Sequence, residues 1–118
     1  MSSSENTKKG KLGELLAENF LQKKGYVIIA NNYRFARAEI DIIAQKDDLL
    51  VFVEVKFRKS NFFGDPEDSI TPKKIEMIQS AADNYIDSIN WNKQVRYDVI
   101  SILQIDNKTE YYHIEDAF

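Results

Sequence analysis

The sequence predicts a single small α/β domain, and three observations support that fold class. Apolar residues recur at helical spacing in two separate segments. Short runs rich in β-branched residues lie between and after those segments, which gives the order helix, several strands, helix, two strands. The chain has 118 residues, of which 43% are apolar and 30% are charged, and this length and balance suit one packed core under a solvated surface.

The first helix is predicted at residues 9–24, where leucine and phenylalanine side chains recur at helical intervals. Gly25 follows this segment as a stop signal. Residues 1–8 are polar and rich in serine, so we expect a flexible tail there. The single domain is then expected to occupy residues 9–118.

Strands are predicted by short β-branched and aromatic runs at residues 26–30, 33–35, 39–45, 49–57, 96–105 and 110–114. Asn31 and Asn32 interrupt the first two of these runs. Asp47 and Asp48 separate the third and fourth runs by so little that a hairpin is expected. Residues 61–68 contain glycine and proline and are predicted to form a loop.

The second helix carries recognisable signals at both ends. Thr71 is expected to be its N-cap, with Pro72 at the first helical position. The apolar positions form one continuous face that ends near Asn90. This helix is therefore predicted to pack on the sheet.

The predicted hairpin concentrates charge on one face. In its first strand, alternation places Glu39 and Asp41 on the same face as Ile43, opposite Ile40 and Ile42. In its second strand the residues that share a face are Phe52, Glu54, Lys56 and Arg58. The surrounding residues are mostly apolar, which indicates a buried pair of strands, where unpaired charge is costly.

The register of the hairpin brings these charges together. With a two-residue turn at its centre, residue i pairs with residue 95 − i, so Asp41 faces Glu54 and Glu39 faces Lys56. Directly opposed side chains have Cβ atoms roughly 4.5–5.5 Å apart, and two carboxylates at that distance repel. Mg²⁺, with Mn²⁺ as the alternative, would relieve that repulsion, because hard cations are held by carboxylate oxygens, water and phosphate. Lys56 is then placed to orient a water molecule or to stabilise charge on a phosphate.

Basic side chains flank the acidic pair, and their guanidinium and ammonium groups suit phosphate contacts. They are Arg34, Arg37, Arg58, Lys59, Lys73 and Lys74. Nucleic acid, first of all DNA, is the partner that this pattern predicts, although a solvated face would account for the same residues. The net charge of −3 argues against strong nonspecific binding, which usually needs a basic excess.

Other classes of protein are disfavoured by composition. The chain has no cysteine, which excludes a disulfide framework and a thiolate metal site. No run approaches the ~20 apolar residues that span a bilayer, so we expect a cytoplasmic protein without a membrane partner.

Several segments, in order, resemble the YraN-like family of predicted endonucleases, within the restriction-endonuclease-like superfamily that includes archaeal Holliday-junction resolvases. The segments are Gly10-x-x-Gly13-Glu14, Asn32-Tyr33-Arg34, Glu39-Ile40-Asp41, Phe52-Val53-Glu54-Val55-Lys56, Phe63-Gly64, Pro72-Lys73-Lys74 and Arg96-Tyr97-Asp98. The resemblance implies a three-layer fold in which helices flank a central mixed sheet. Ala38 stands where the family pattern has Gly, which makes a left-handed or closely packed backbone harder to form there.

The resemblance also implies roles for individual residues. Asp41, Glu54 and Lys56 match the PD-(D/E)xK triad, and Glu14 matches an acid on the first helix that reaches toward the metal or its waters. Mg²⁺-dependent hydrolysis of DNA to 5′-phosphate and 3′-hydroxyl products follows from that match, with branched DNA as the implied substrate. A homodimer is a further expectation, because one small protomer offers little surface to grip two strands.

Two other hypotheses stay open at the level of sequence. A noncatalytic module can keep the fold and use the charged face to bind nucleic acid or a protein. Alternatively, a small structural protein needs only a cross-strand ion pair between Glu39 and Lys56. Alanine at Asp41 separates these readings, because a site predicts unchanged or higher stability without metal and a structural role predicts a loss of ~1 kcal/mol or more.

Overall fold

A computed structural model describes residues 3–59 and 70–118, with side chains from Gly10 onward. Within these residues the chain forms two helices and five strands. The elements are α1 (Ser3–Lys23), β1 (Val27–Phe35), β2 (Ala38–Lys46), β3 (Leu49–Arg58), α2 (Pro72–Ile89), β4 (Gln94–Ile105) and β5 (Lys108–Ile114). The predicted loop at residues 61–68 lies outside the described residues. Helix α1 begins before the predicted start at Lys9, so much of the expected tail has helical backbone.

The five strands form one mixed sheet in the order β1-β2-β3-β4-β5. Strands β3 and β4 are parallel, whereas the other neighbouring pairs are antiparallel. Parallel neighbours need a long crossover connection, and α2 lies within the connection between β3 and β4. No helix in the described ranges is long and apolar enough to cross a membrane.

The two helices cover opposite faces of the sheet. Helix α1 contributes Ala17 and Leu21 to a core with buried residues of β2, β3 and β4, namely Ile42, Ala44, Val51, Val53, Ile100 and Ile102. Helix α2 contributes Ile78, Ala81 and Ala82 to a second core, with Ile40, Ile43, Leu50 and Phe52. The predicted three-layer α/β fold, with helices on both sides of a central mixed sheet, is confirmed.

The local signals of α2 are confirmed as well. Thr71 is the N-cap, and its Oγ1 accepts a hydrogen bond of 3.1 Å from the backbone N–H of Lys74. Pro72 is the first helical residue, and Asn90 ends the helix in the left-handed conformation. The first turn of α2 is therefore anchored, which determines where its lysines lie.

Close contact between α1 and β3 depends on Gly13. A Cβ atom at this position would lie 2.7 Å from Cβ of Phe57, which is too close for two carbon atoms. The absence of a side chain lets the helix approach the strand. Glu14, the next residue, is thereby brought to the end of β3.

The hairpin of β2 and β3 has the predicted turn at Asp47 and Asp48 and the predicted register. Its ladder runs from the pair Lys46 and Leu49 to the pair Ile42 and Val53, and it ends there. Beyond that point the Asp41 side chain replaces the backbone as acceptor, because its Oδ2 accepts a hydrogen bond of 2.8 Å from the N–H of Val55. The two strands diverge where the charged residues lie.

This divergence corrects two predictions. Glu39 does not pair with Lys56; its carboxylate instead contacts Arg34 and Asn32. Ile40 also does not share a face with Ile42, because Ile40 packs beneath α2 and Ile42 beneath α1.

The neighbouring strand is irregular beside this point. Strand β1 is continuous through the predicted break at Asn31 and Asn32, but Asn32 adopts a left-handed conformation with φ of 51°. It lies between the pairs Asn31–Ile42 and Tyr33–Ile40, where the alternation of β2 reverses. A left-handed residue turns the chain sharply, and Asn tolerates that conformation better than most residues.

The hairpin turn between β1 and β2 is also left-handed at one residue. Ala36 has φ of 57°, whereas Ala38 is absent from the described residues with positive φ and is buried beneath α2. The residue that stands in place of the family glycine therefore needs no left-handed backbone.

Candidate active site

All four predicted catalytic residues line one hollow of about 350 Å³. Each layer of the fold contributes to it. Glu14 comes from α1, Asp41 from β2, and Glu54 and Lys56 from β3, while α2 adds Lys74. The hollow lies beyond the last backbone pair of β2 and β3, where the two strands diverge. The divergence leaves room for the Asp41 side chain between the strands and for the hollow itself.

Glu54 is the most buried charged residue of the hollow, with 6% of its surface exposed. Two ammonium groups approach its Oε2: Nζ of Lys74 at 2.6 Å and Nζ of Lys56 at 4.0 Å. A buried carboxylate is costly unless it is paired, and these lysines supply the compensating charge. Lys74, predicted to contact phosphate, thus contacts a carboxylate here.

The carboxyl group of Asp41 has a raised pKa. Burial, together with the negative charge of Glu54, raises its pKa to about 7. The N–H of Val55 and the charge of Lys74 act in the opposite direction, while Glu14 adds to the increase. Ionised Asp41 is therefore less stable in this protein environment than in water, first because the group is buried and second because Glu54 is negatively charged.

Glu14 and Glu39 are joined by an amide that the sequence analysis did not assign to the site. Nδ2 of Asn32 donates a hydrogen bond of 3.0 Å to Glu14 and one of 2.9 Å to Glu39. Burial raises the pKa of Glu14, the hydrogen bond from Asn32 lowers it, and the charge of Glu39 raises it again, with a net increase. Two signals were available: Asn32 belongs to the Asn32-Tyr33-Arg34 segment of the family resemblance, and it interrupts a strand pattern, where Asn tolerates a left-handed backbone.

A divalent cation fits the chemistry of the hollow. Among the described side chains no group of three or more carboxylates and imidazoles converges on a single point, so a complete protein cage is absent there. Mg²⁺ does not require one, since it is usually held by one or two carboxylates and keeps several waters. Asp41 and Glu54 would supply these oxygens, and a cation there would stabilise the ionised form of Asp41, which burial and the charge of Glu54 disfavour.

The family model described as "Uncharacterised protein family UPF0102" matches residues 13–102, which include every acidic residue of the hollow. The chain belongs to this UPF0102 family. A UPF0102 protein of Flavobacterium psychrophilum, FP2501, is 44% identical over 115 residues, covering 98% of this chain and 97% of the relative. A UPF0102 protein of Syntrophomonas wolfei is 43% identical over 114 residues, covering 96% of this chain and 99% of the relative.

The flanking basic residues of this UPF0102 chain divide into two sets. Arg37 and Lys73 line a second hollow of about 330 Å³, which also includes Asp41, Glu54 and Lys74. Arg34, Arg58 and Lys59 line neither of these two hollows. Arg34 is largely exposed and lies 3.5 Å from Glu39. The structure thus brings two of the predicted phosphate-binding residues next to the acidic pair, in addition to Lys74.

A separate charge network in this UPF0102 chain is structural. Asp98 is fully buried and accepts hydrogen bonds from Nε and Nη2 of Arg96, from Nε2 of His113 and from the N–H of Asp116. Burial by itself would raise the pKa of Asp98, but these hydrogen bonds outweigh it and lower the pKa below its ordinary value. Arg96 also donates to the Tyr26 hydroxyl at 2.7 Å. The network joins β4 to β5 and to the chain that precedes β1.

Proposed function

We propose that this protein is a metal-dependent endonuclease that hydrolyses DNA phosphodiester bonds. The observation that carries the proposal is the pair of carboxylates, Asp41 and Glu54, that share one buried hollow with Lys56. Like charges in a poorly solvated place destabilise a fold, so their retention calls for a function. The three-layer fold and the order Asp, then Glu-x-Lys, favour the PD-(D/E)xK superfamily as the source of that function.

Each side chain then has a distinct task. Asp41 and Glu54 would hold Mg²⁺ or Mn²⁺, and Glu14, which lines the same hollow, would bind waters around the ion. A divalent cation there supplies a Lewis acid that polarises the phosphate and activates a water ligand. Lys56 is 21% exposed and therefore can reach both solvent and substrate, so it orients the attacking water or stabilises the charge that develops on the phosphate.

The reaction that this arrangement serves is hydrolysis. The water oxygen forms a bond to phosphorus as the bond from phosphorus to the 3′ oxygen breaks. The water proton passes to solvent or a nearby base, and the 3′ oxygen leaves as a hydroxyl after protonation. The products carry a 5′-phosphate and a 3′-hydroxyl. Branched DNA is the proposed substrate form, and a homodimer would allow both strands of a duplex to be held.

One observation favours a second candidate function. The ammonium of Lys74 lies 2.6 Å from Glu54, so a protein cation already compensates the more buried carboxylate. A noncatalytic module that binds nucleic acid or assembles with a protein would need no more than that. The two candidates differ in one measurable property, which is whether Asp41 and Glu54 bind a metal ion together.

Titration calorimetry with Mg²⁺ and Mn²⁺ tests the proposal on the wild type, Asp41→Ala and Glu54→Ala. The matched control is Asp48→Ala, which removes a largely exposed carboxylate in the hairpin turn. We expect binding in the wild type and the control and none in the two site variants. Cleavage of linear, nicked and four-way-junction DNA should be lost in the same two variants. Absence of metal binding by the wild type, even with DNA present, would overturn the nuclease proposal in favour of the noncatalytic module.

A further inference from the structure

A third cavity extends the candidate site along the β1–β2 hairpin. This distal groove has a volume of about 600 Å³ and is lined by Phe35, Ala36, Arg37, Ala38, Lys73, Glu76, Met77 and Ser80. It shares Arg37, Ala38, Lys73 and Met77 with the second hollow. The second hollow in turn shares Asp41 and Glu54 with the first. The three cavities therefore border one another in a path from the acidic pair to the tip of the hairpin.

The distal groove combines cationic and apolar side chains, and Glu76 also lines it. Arg37 and Lys73 are exposed cations, the second in the first turn of α2. Phe35 keeps 37% of its surface exposed beside them, and the Met77 thioether adds a polarisable apolar wall. Proteins that hold single-stranded nucleic acid use this combination, because cations follow the phosphates while bases stack on aromatic rings.

We propose that the distal groove binds an unpaired nucleotide next to the scissile phosphate, with its base on Phe35 and its phosphate at Arg37 and Lys73. This inference rests on the proposed nuclease function and adds the class of substrate. A base in a duplex is paired and stacked, and taking it out of the stack costs energy that an unpaired base does not pay. The preferred substrate is therefore a strand with an overhang, a flap or a loop at the cleavage point, rather than a blunt duplex.

Fluorescence anisotropy in EDTA, where metal-dependent cleavage does not occur, tests the groove. The probes are a labelled blunt DNA duplex, the same duplex with a single-stranded overhang, and that overhang with abasic sites in place of its bases. The variants are Phe35→Ala and, as the matched control, Ile29→Ala. Ile29 lies on the same strand, is 41% exposed and is not among the residues that line the groove. Circular dichroism and melting temperature verify the fold of both variants.

We expect the wild type to bind the overhang more tightly than the blunt duplex. Phe35→Ala should weaken overhang binding roughly 5- to 100-fold, as the loss of one stacked base predicts, and should not affect the blunt or abasic probes. Ile29→Ala should bind all three probes as the wild type does. Equal affinities of Phe35→Ala and wild type for the overhang would overturn the proposal, and so would an equal loss on the abasic probe.

Cleavage by the wild type, measured separately with Mg²⁺, distinguishes this inference from the function on which it rests. Cleavage without any effect of Phe35→Ala on overhang binding would support the nuclease function and refute nucleotide binding by the distal groove. The expected binding pattern without cleavage would support nucleotide binding by the groove and refute the nuclease function.

Discussion

Nζ of Lys74 lies 2.6 Å from Oε2 of Glu54, and this ion pair ties the first turn of α2 to the centre of β3. A cation in that turn opposes the helix dipole, a local cost that the contact with a buried carboxylate offsets. Lys74 is still 44% exposed, so its ammonium can leave Glu54 without crossing the core.

Replacement of Lys74 by alanine should tighten Mg²⁺ binding in the absence of DNA. The ammonium and the metal ion compete for the same carboxylate, so removal of one favours the other. We expect an increase of about fivefold, the equivalent of ~1 kcal/mol for a partly exposed pair. Titration calorimetry of Lys74→Ala measures it, with Lys73→Ala as the control that removes a neighbouring charge. Weaker metal binding by Lys74→Ala would mean that this lysine positions Glu54 for the metal ion and does not compete with the ion for it.

Asp41→Asn should stabilise the metal-free protein more at high pH than at low pH. The pKa of Asp41 is raised to about 7 in the folded state, so the folded state holds its proton more tightly than the unfolded state does. Ionisation of Asp41 therefore destabilises the folded wild type. This loss of stability is absent below the unfolded pKa of ~4, grows as pH rises, and is complete above about 7. Asparagine carries no charge and still offers an oxygen to the N–H of Val55.

Urea denaturation at about pH 5 and about pH 8 checks this expectation. The gain from Asp41→Asn should be larger at the higher pH by roughly 1–3 kcal/mol. Asp48→Asn, at an exposed turn position, should show no such difference. A pH-independent effect of Asp41→Asn would show that its carboxylate titrates normally.

Metal affinity should depend on pH through the same carboxylate. Asp41 must lose its proton to bind a cation, and with a pKa of about 7 it is mostly protonated at pH 6. Apparent Mg²⁺ affinity should therefore be about tenfold lower at about pH 6 than at about pH 8. Calorimetry in two buffers with different ionisation enthalpies would detect the released proton, and equal heats in both buffers would contradict the prediction.

Asp98→Ala should be strongly destabilising, by about 3–5 kcal/mol, because it leaves the Arg96 guanidinium without its bidentate partner. The sign of the pH effect is opposite to that of Asp41. The pKa of Asp98 is lowered on folding, so its contribution is present above its unfolded pKa and is lost as pH falls through the folded value. Chemical denaturation measures the loss; Asp48→Ala serves as an exposed control. A loss no greater than that of the control would show that the network contributes no stability.

Gly13→Ala should destabilise the protein and move α1 away from β3. The added Cβ would lie 2.7 Å from Cβ of Phe57, and such overpacking costs about 1–3 kcal/mol. The matched control is Gly10→Ala in the same helix, because a Cβ there meets nothing within 4 Å. That variant should be neutral or stabilising by roughly 0.5–1 kcal/mol through helix propensity. Similar melting temperatures for the two variants would refute the role assigned to Gly13.

Much of the fold follows from signals that act within a few residues of chain. Thr71 and Pro72 begin α2 because the threonine oxygen satisfies a free N–H and proline needs none. The Asp47–Asp48 turn determines the register that brings Asp41 next to Glu54, since turn type and loop length fix the pairing of a hairpin. Glu54 and Lys56 could be assigned to one site because they are two residues apart on one strand and so share a face.

Other features depend on parts of the chain that meet only in the folded molecule. The alternation of β2 reverses where its ladder with β3 ends, so Ile40 packs beneath α2 while Ile42 packs beneath α1, and Glu39 contacts Arg34 and Asn32 in place of Lys56. Strand patterns assume a regular ladder, so they cannot anticipate such a reversal.

Local chemistry was thus sufficient to predict the α/β class, the N-cap and the end of α2, and the acidic pair with its adjacent lysine, while the family resemblance supplied the three-layer arrangement. The tertiary structure alone decided that Lys74 contacts Glu54, that Asn32 joins Glu14 to Glu39, and that Phe35 borders a groove leading from the site. The physical reason is the separation along the chain over which each interaction acts. Capping, turns and alternation act between residues close in sequence, whereas ion pairs and cavities depend on how a crossover helix and a hairpin lie against the sheet.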